Sequence, residues 1–582
     1  MRLEDYALIG DCETAALVGR NGSIDWLCWP DFSSAACFAA LLGTKANGRW
    51  LIAPKGRPRK ITRKYRDRTL ILETTFEMAS GRVVLTDFMP IRERHSDVVR
   101  IVRCLDGRVP LEMELCVRFD YGRTIPWIGP RNRNEWAAAA GSGVVYLRTH
   151  EQLRNANGVA FADFTLKAGE QRSFVLTYVT AADPPPHRVN TQIALHQTEA
   201  FWLEWTGKSR YAGEWKEAVE RSLITLKALT YKPTGGIVAA PTTSLPEYIR
   251  AERNWDYRYC WLRDAGFTLE SLLSVGYHDE AKAWEQWLLQ SVGSDVRQMQ
   301  IMYGMRGERH LPEYQLPWLR GYLNSAPVRI GNAASEQSQL DSYGEVADAI
   351  STMARAKLHL DPRTYLLWAQ LTDHVAKICS RPSSGIWERR ELRRQFTFSK
   401  VMAWIALDLG VKAAERGEIE GSISRWRHVR SDLHREICKH GYSKPLESFV
   451  QSYRSRTLDA SSLLIPLFGF VPFEDERVRS TVRALEKRLV HDEFVYRVKA
   501  KAAKDREAAF LPSSFWYVQN LVMTGRRSEG RRHFQKLLRV RNDVGLLSEE
   551  YDAEAKRFLG NFPQALSHIA LINAARTLDG RT

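Results

Sequence analysis

The sequence predicts a two-part protein, an N-terminal antiparallel β-sandwich followed by an (α/α)6 barrel. Three observations lead there. The hydrophobic period changes near residue 200, from the alternation of strands to the 3.6-residue repeat of helices. The first part holds many short runs rich in β-branched and aromatic residues, spaced as in a sandwich. The second holds twelve helical segments, the number that makes six hairpins and closes a double ring.

The candidate strands are 69–76, 82–88, 98–104, 111–119, 143–148 and 173–179. Asn21-Gly22 marks a tight turn between the runs 15–18 and 24–28. Pro184-Pro185-Pro186 ends the β pattern. Helices are expected near 212–230, 264–275, 278–292, 342–358, 363–380, 398–416, 422–440, 458–468, 476–489, 512–524, 529–541 and 563–579. Residues 1–195 therefore read as the sandwich, 196–225 as a linker with a helix, and 226–582 as the barrel. The long segment 294–341 between helices points to function, because loops of that length inside a compact domain usually serve a site.

Bulk properties narrow the class. With 582 residues, 44% hydrophobic and 26% charged, the chain has the composition of a globular protein. No apolar stretch is long enough to span a bilayer, and the first residues lack the layout of a signal peptide, so the expectation is a cytoplasmic protein with no membrane partner. The eight cysteines show no C-x-x-C spacing and read as reduced, buried thiols. A net charge of +16 invites a nucleic-acid partner, but no nucleic-acid module accompanies it, and an Arg-rich solvated surface accounts for it. Without H-E-x-x-H, a Walker loop or G-x-G-x-x-G after a strand, no metal and no cofactor are expected.

The segment Arg253–Phe267 crowds two Trp, two Tyr, a Phe, three Arg and two Asp into fifteen residues. Such alternation suits a pocket for a polyhydroxylated ligand, with rings on its apolar faces and Asp and Arg on its hydroxyls. Cleaving a glycosidic bond needs one carboxylic acid to protonate the leaving oxygen and a second carboxylate to activate water or attack carbon. Glu388, following Trp387 in a turn before a helix, suits the acid, since an adjacent indole would raise its pKa. Glu549, in Ser548-Glu-Glu-Tyr-Asp552, could stay ionised and serve as base. Loops running from outer to inner helices open at one end of a barrel, so these residues are expected to converge on one cavity.

In its motifs the chain resembles the bacterial branch of glycoside hydrolase family 15. The resemblance rests on Tyr6–Asp11 with Asn21–Trp26, Asn254–Asp264, Val328–Ala334, Gly385–Glu388, Phe510–Trp516, Ser548–Asp552 and Gly560–Ala565, seven motifs in order along the whole chain. It implies the sandwich-plus-barrel fold and inversion at the anomeric carbon, with the carboxyls roughly 6.5–9.5 Å apart. By motif position Glu388 matches the general acid and Glu549 the general base. Arg263 and Asp264 match the pair that holds hydroxyls of the non-reducing glucose, with Tyr257 and Trp261 as walls. Trp387, Arg497 and Tyr322 complete the expected substrate-binding set. Two departures stand out: Glu507-Ala-Ala-Phe510 where relatives carry Glu-Gly-Ala-Phe, and Arg389 where fungal relatives carry a second acid, which bears on the leaving-group subsite.

The resemblance implies an exo-acting α-glucoside hydrolase whose partner is an α-linked glucose oligosaccharide or disaccharide, releasing β-glucose from non-reducing ends. An α,α-trehalase is the alternative. A phosphorylase is disfavoured by the carboxylate at 549, and a non-catalytic polyanion binder would show salt-sensitive binding without turnover.

Overall fold

The computed structural model describes residues 1–390, 393–499 and 507–580. The N-terminal part is antiparallel and is organised around one 21-residue strand, Ser96–Cys116. Its first half pairs with Gly81–Phe88 and Gln171–Thr180. Its second half pairs with Arg49–Pro54 and Val159–Lys167. The expected strands 98–104 and 111–119 are therefore one strand. Asp106-Gly107, which resembles a turn, stays in the ladder opposite Arg82 and Gly81; Leu105 beside it is the extra residue of a bulge, where the register slips between Arg82 and Val83. Gly81 faces Gly107 there with φ of +144°, and a Cβ on Gly81 would lie 2.2 Å from the Asp106 carbonyl oxygen. The long strand thus passes from one layer to the other, and residues of both, such as Trp50, Phe76, Val102 and Leu147, share one core. The hairpin Ala15–Gly19 with Ser23–Cys28 forms about Asn21-Gly22 as predicted.

Thirteen α-helices follow among the described residues. Helix α1 (Thr191–Gly207) is capped by Asn190, whose side chain accepts from the backbone of Gln192 and Ile193. It lies outside the predicted set. The other twelve match the predicted segments: α2 (Lys216–Ala228), α3 (Leu262–Leu273), α4 (His278–Val292), α5 (Asp341–Arg355), α6 (Pro362–Ile378) and α7 (Thr397–Glu415). Then come α8 (Ile423–His440), α9 (Leu464–Leu467), α10 (Glu476–Leu489), α11 (Leu511–Met523), α12 (Arg527–Val540) and α13 (Ala565–Leu578). The odd helices from α3 onward pack in sequence, α3 on α5, α5 on α7, α7 on α9, α9 on α11, α11 on α13, and α13 back on α3. The even helices lie outside them.

Burial explains the two rings. Helix α13 is apolar nearly all round and buried over almost its whole length, as an inner helix must be. Helix α12 buries only Gly530, Phe534 and Leu537, one stripe, and carries its charges on the other side. Helix α9 is a single turn, extended by the 3-10 turn Ala460–Leu463 and closed by Gly469 with φ of +74°. No helix of the described residues is long and apolar enough to cross a membrane.

Candidate active site

Every inner helix enters the ring in the same direction, so the loops from outer to inner helices gather at one end. The loop into α3 carries the aromatic-charged segment. Strand Asn254–Asp256 pairs with Thr243–Pro246, and Cys260–Trp261 pairs with Met302–Tyr303. Extended backbone sends successive side chains to opposite sides. Trp255, Tyr257 and Trp261 turn into a cavity of about 270 Å³. Asp256 and Arg258 turn away, bonded to each other at 2.9 Å, and Arg258 reaches the Ser34 carbonyl of the N-terminal part at 3.0 Å. The alternation in the sequence is thus one wall of the cavity and its anchor.

Tyr257 and Trp261 meet edge to face, with centroids 5.3 Å apart. The Tyr257 hydroxyl donates to Glu549 Oε1 at 2.7 Å, and the Trp261 indole donates to Glu388 Oε1 at 2.7 Å. One aromatic pair therefore holds both carboxyls, and both line the same cavity.

Glu388 ends a turn that begins at Gly385 and itself has φ of +52°. Burial raises its pKa, against the lowering effects of Arg263, whose Nη1 lies 3.3 Å from Oε1, and of the Trp261 hydrogen bond. The indole that touches the carboxyl is thus Trp261. Trp387, expected to press on it, points its Nε1 to Asp459 at 2.8 Å and stacks on Trp516. It still lines the cavity, but from beneath.

Glu549 is held through Asn561. Its own N–H donates to the Asn561 carbonyl at 3.1 Å, and the Asn561 N–H donates back to Glu549 Oε2 at 3.2 Å. Gly560 makes this fit: its φ is +70°, and a Cβ there would lie 2.6 Å from both Cβ and Oε2 of Glu549. The carboxyl expected to stay ionised as base is pushed up to about 7, by burial first and then by Glu247. Arg497 opposes this. Glu247, Glu549 and Glu550 each place one oxygen within 4.8 Å of the others, a set that resembles a metal site. However, Arg497 already bonds Glu247 and Glu550 through Nη2, and Glu507 through Nε at 3.1 Å. That guanidinium supplies the positive charge a cation would bring.

Arg263 donates Nε to Asp264 Oδ1 at 2.8 Å and Nη1 to the Ile386 carbonyl at 3.1 Å. Oδ2 of Asp264 is buried without a hydrogen-bond partner among the described residues, an acceptor left open in the cavity wall. At the rim Trp255 lies between the guanidiniums of Arg329 and Arg390, at 4.7 and 4.2 Å. Arg389 also lines the cavity.

Tyr257, Trp261, Arg263, Asp264, Trp387, Glu388, Arg497 and Glu549 are thus brought together. Tyr322 is not. It lines a separate cavity beside Met1, donating to the Met1 carbonyl at 3.1 Å and accepting from Arg557 at 3.2 Å. The reason is a partner distant in the chain: Asn254 holds the Ser325 and Pro327 carbonyls at 3.1 Å each, which turns this part of the loop toward the N-terminus. Sequence reasoning missed Glu247, Trp255 and Glu507. Trp255 was within the singled-out segment and Glu507 within the noted Glu507-Ala-Ala-Phe510, but without a role; Glu247 carries no local signal, because it is Arg497 that gathers it with Glu507 and Glu550.

A helical double ring with a buried carboxyl (Glu549) and a half-buried one (Glu388) on one aromatic-walled cavity is a glycoside hydrolase arrangement. Residues 213–576 match the family model "Glycosyl hydrolases family 15", and residues 1–136 match "Trehalase-like, N-terminal". The chain belongs to glycosyl hydrolase family 15. It is 34% identical to the trehalase of Thermoplasma acidophilum, over 97% of this chain and 98% of that one. It is likewise 34% identical to the trehalase of Mycobacterium tuberculosis, over 98% and 89%. A crystal structure of a bacterial glucoamylase complexed with acarbose superposes with a TM-score of 0.74 at 13% identity, covering 99% of this chain and 94% of that one. That likeness shows the shared fold.

Proposed function

We propose that the protein is an inverting α,α-trehalase, with Glu388 as general acid and Glu549 as general base. The observation that carries this over a glucan-degrading reading is the similarity to proteins named trehalase along the whole chain, N-terminal domain included. The cavity, about 270 Å³, is of the size a disaccharide unit needs, which both readings require. Arg389, Arg390 and Trp255 would flank the departing glucose.

In this mechanism Glu388 gives its proton to the bridging oxygen while Glu549 takes one from a water attacking C1 on the opposite face. Arg263 and Asp264 hold hydroxyls of the attacked ring. Water oxygen ends on C1 of that ring, which leaves as β-glucose. The other ring departs with its own C1–O bond intact, as α-glucose. An NMR time course on fresh trehalose should therefore show α- and β-glucose appearing in equal amounts, with label from H₂¹⁸O only in the β-anomer. Inert trehalose alongside rapid hydrolysis of maltooligosaccharides would replace this reading with a glucan α-glucosidase. Label in the α-anomer would refute inversion.

A further inference from the structure

A second cavity, of about 380 Å³, lies at the far end of the barrel. The catalytic loops precede the inner helices, and this cavity is lined by the later turns of the same helices: Phe267 and Glu270 on α3, Asp348 and Arg355 on α5, Gln519 on α11 and Arg576 on α13. We propose that it is a second carbohydrate-binding site, for one neutral, hexose-sized molecule, distinct from the catalytic cavity and independent of which glucoside is cleaved there.

Its chemistry selects such a ligand. The carboxyls of Glu270 and Asp348 have no hydrogen-bond or ion-pair partner among the described residues, whereas Asp408 nearby is bridged by Lys412 at 2.7 Å and Arg430 at 2.9 Å. Burial raises both carboxyls, and for Asp348, pushed up to about 7, the Glu270 charge adds to it. The carboxyl oxygens accept hydrogen bonds, and the guanidiniums of Arg355 and Arg576 donate. Phe267 and Phe468, tilted with centroids 5.6 Å apart, offer apolar surface beside these groups. An ion of either sign would meet its own charge here as well as the opposite one. A polyol meets donors, acceptors and ring faces together.

The site is also placed to communicate. Trp516 and Leu566 line both cavities and separate them. Trp516 stacks on Trp387 at 6.4 Å, next to Glu388 in the chain.

The test is equilibrium dialysis of the full chain carrying Glu549→Gln, with labelled glucose and, separately, labelled trehalose, so that product and substrate are told apart. At least one sugar should bind beyond the catalytic cavity, as a second trehalose or as a third glucose, since that cavity holds both glucose units of its substrate. Asp348→Ala, which removes a carboxyl, and Thr352→Phe, which fills the cavity while keeping every charge, should each weaken the second site about tenfold or more. In the otherwise native chain both substitutions should leave kcat/KM at low sugar within about twofold. No trehalose beyond one and no glucose beyond two per chain, or extra binding indifferent to both substitutions, overturns the proposal.

Discussion

Removing the Tyr257 hydroxyl should slow the reaction through Glu549. In the folded protein that hydroxyl donates to Glu549 Oε1 at 2.7 Å, a hydrogen bond to the charged form of a carboxyl already lifted from 4.5 to about 7. A hydrogen bond to a charged group contributes about 1.5–3 kcal/mol. At 1.36 kcal/mol per pKa unit, Tyr257→Phe should raise Glu549 by about one to two further units. The base works ionised while Glu388 keeps its proton. A higher Glu549 value draws the proton of the pair onto the wrong carboxyl, so the active form falls by about 10- to 100-fold below neutral pH. The assay is kcat/KM for trehalose from pH 5 to 9. The variant should lose that factor at pH 6 and have its optimum displaced to higher pH. An unchanged optimum, or one displaced downward, would refute this account of how Tyr257 acts.

Other consequences are more direct. Glu388→Gln should cost about 10²- to 10⁴-fold in kcat on trehalose but far less on α-glucosyl fluoride, whose leaving group needs no proton, whereas Glu549→Gln should be slow on both. Gly560→Ala should disable catalysis while the chain still folds, since its Cβ would lie 2.6 Å from Glu549 and its φ of +70° costs a side chain about 1–2 kcal/mol; kcat with a denaturant titration separates the two effects. Arg100→Met should destabilise the N-terminal part by about 3–5 kcal/mol, measured by urea unfolding. It would strand the fully buried Asp87 that Arg100 Nε meets at 2.7 Å, and release the Trp50 and Gly22 carbonyls that its Nη atoms hold at 2.7 Å.

Much of the architecture was legible. Apolar stripes located all twelve barrel helices, including the short α9, because periodicity reports which face must leave water. Helix α1 escaped, since its apolar residues are spread around it. The long strand Ser96–Cys116 was cut in two, because a bulge and a turn use the same residues and differ only in what lies opposite. At the site, the local motifs led to Glu388, Glu549 and the residues 257–264, whose roles depend on near neighbours in the chain. Tyr322 and the indole that meets Glu388 were misplaced, since loop paths are decided by distant partners such as Asn254.

The residue order alone determined the two-part fold, the twelve helices of the barrel and the presence of two candidate carboxyls, because hydrophobic period and motif spacing are local quantities. Only the tertiary structure decided the surroundings that raise both carboxyls. The approach of Glu247 to Glu549, the cradle that Glu247, Glu507 and Glu550 make for Arg497, and the cavity beyond Trp516 join residues up to hundreds of positions apart. Electrostatic energy depends on distance and burial, and neither is written along a chain.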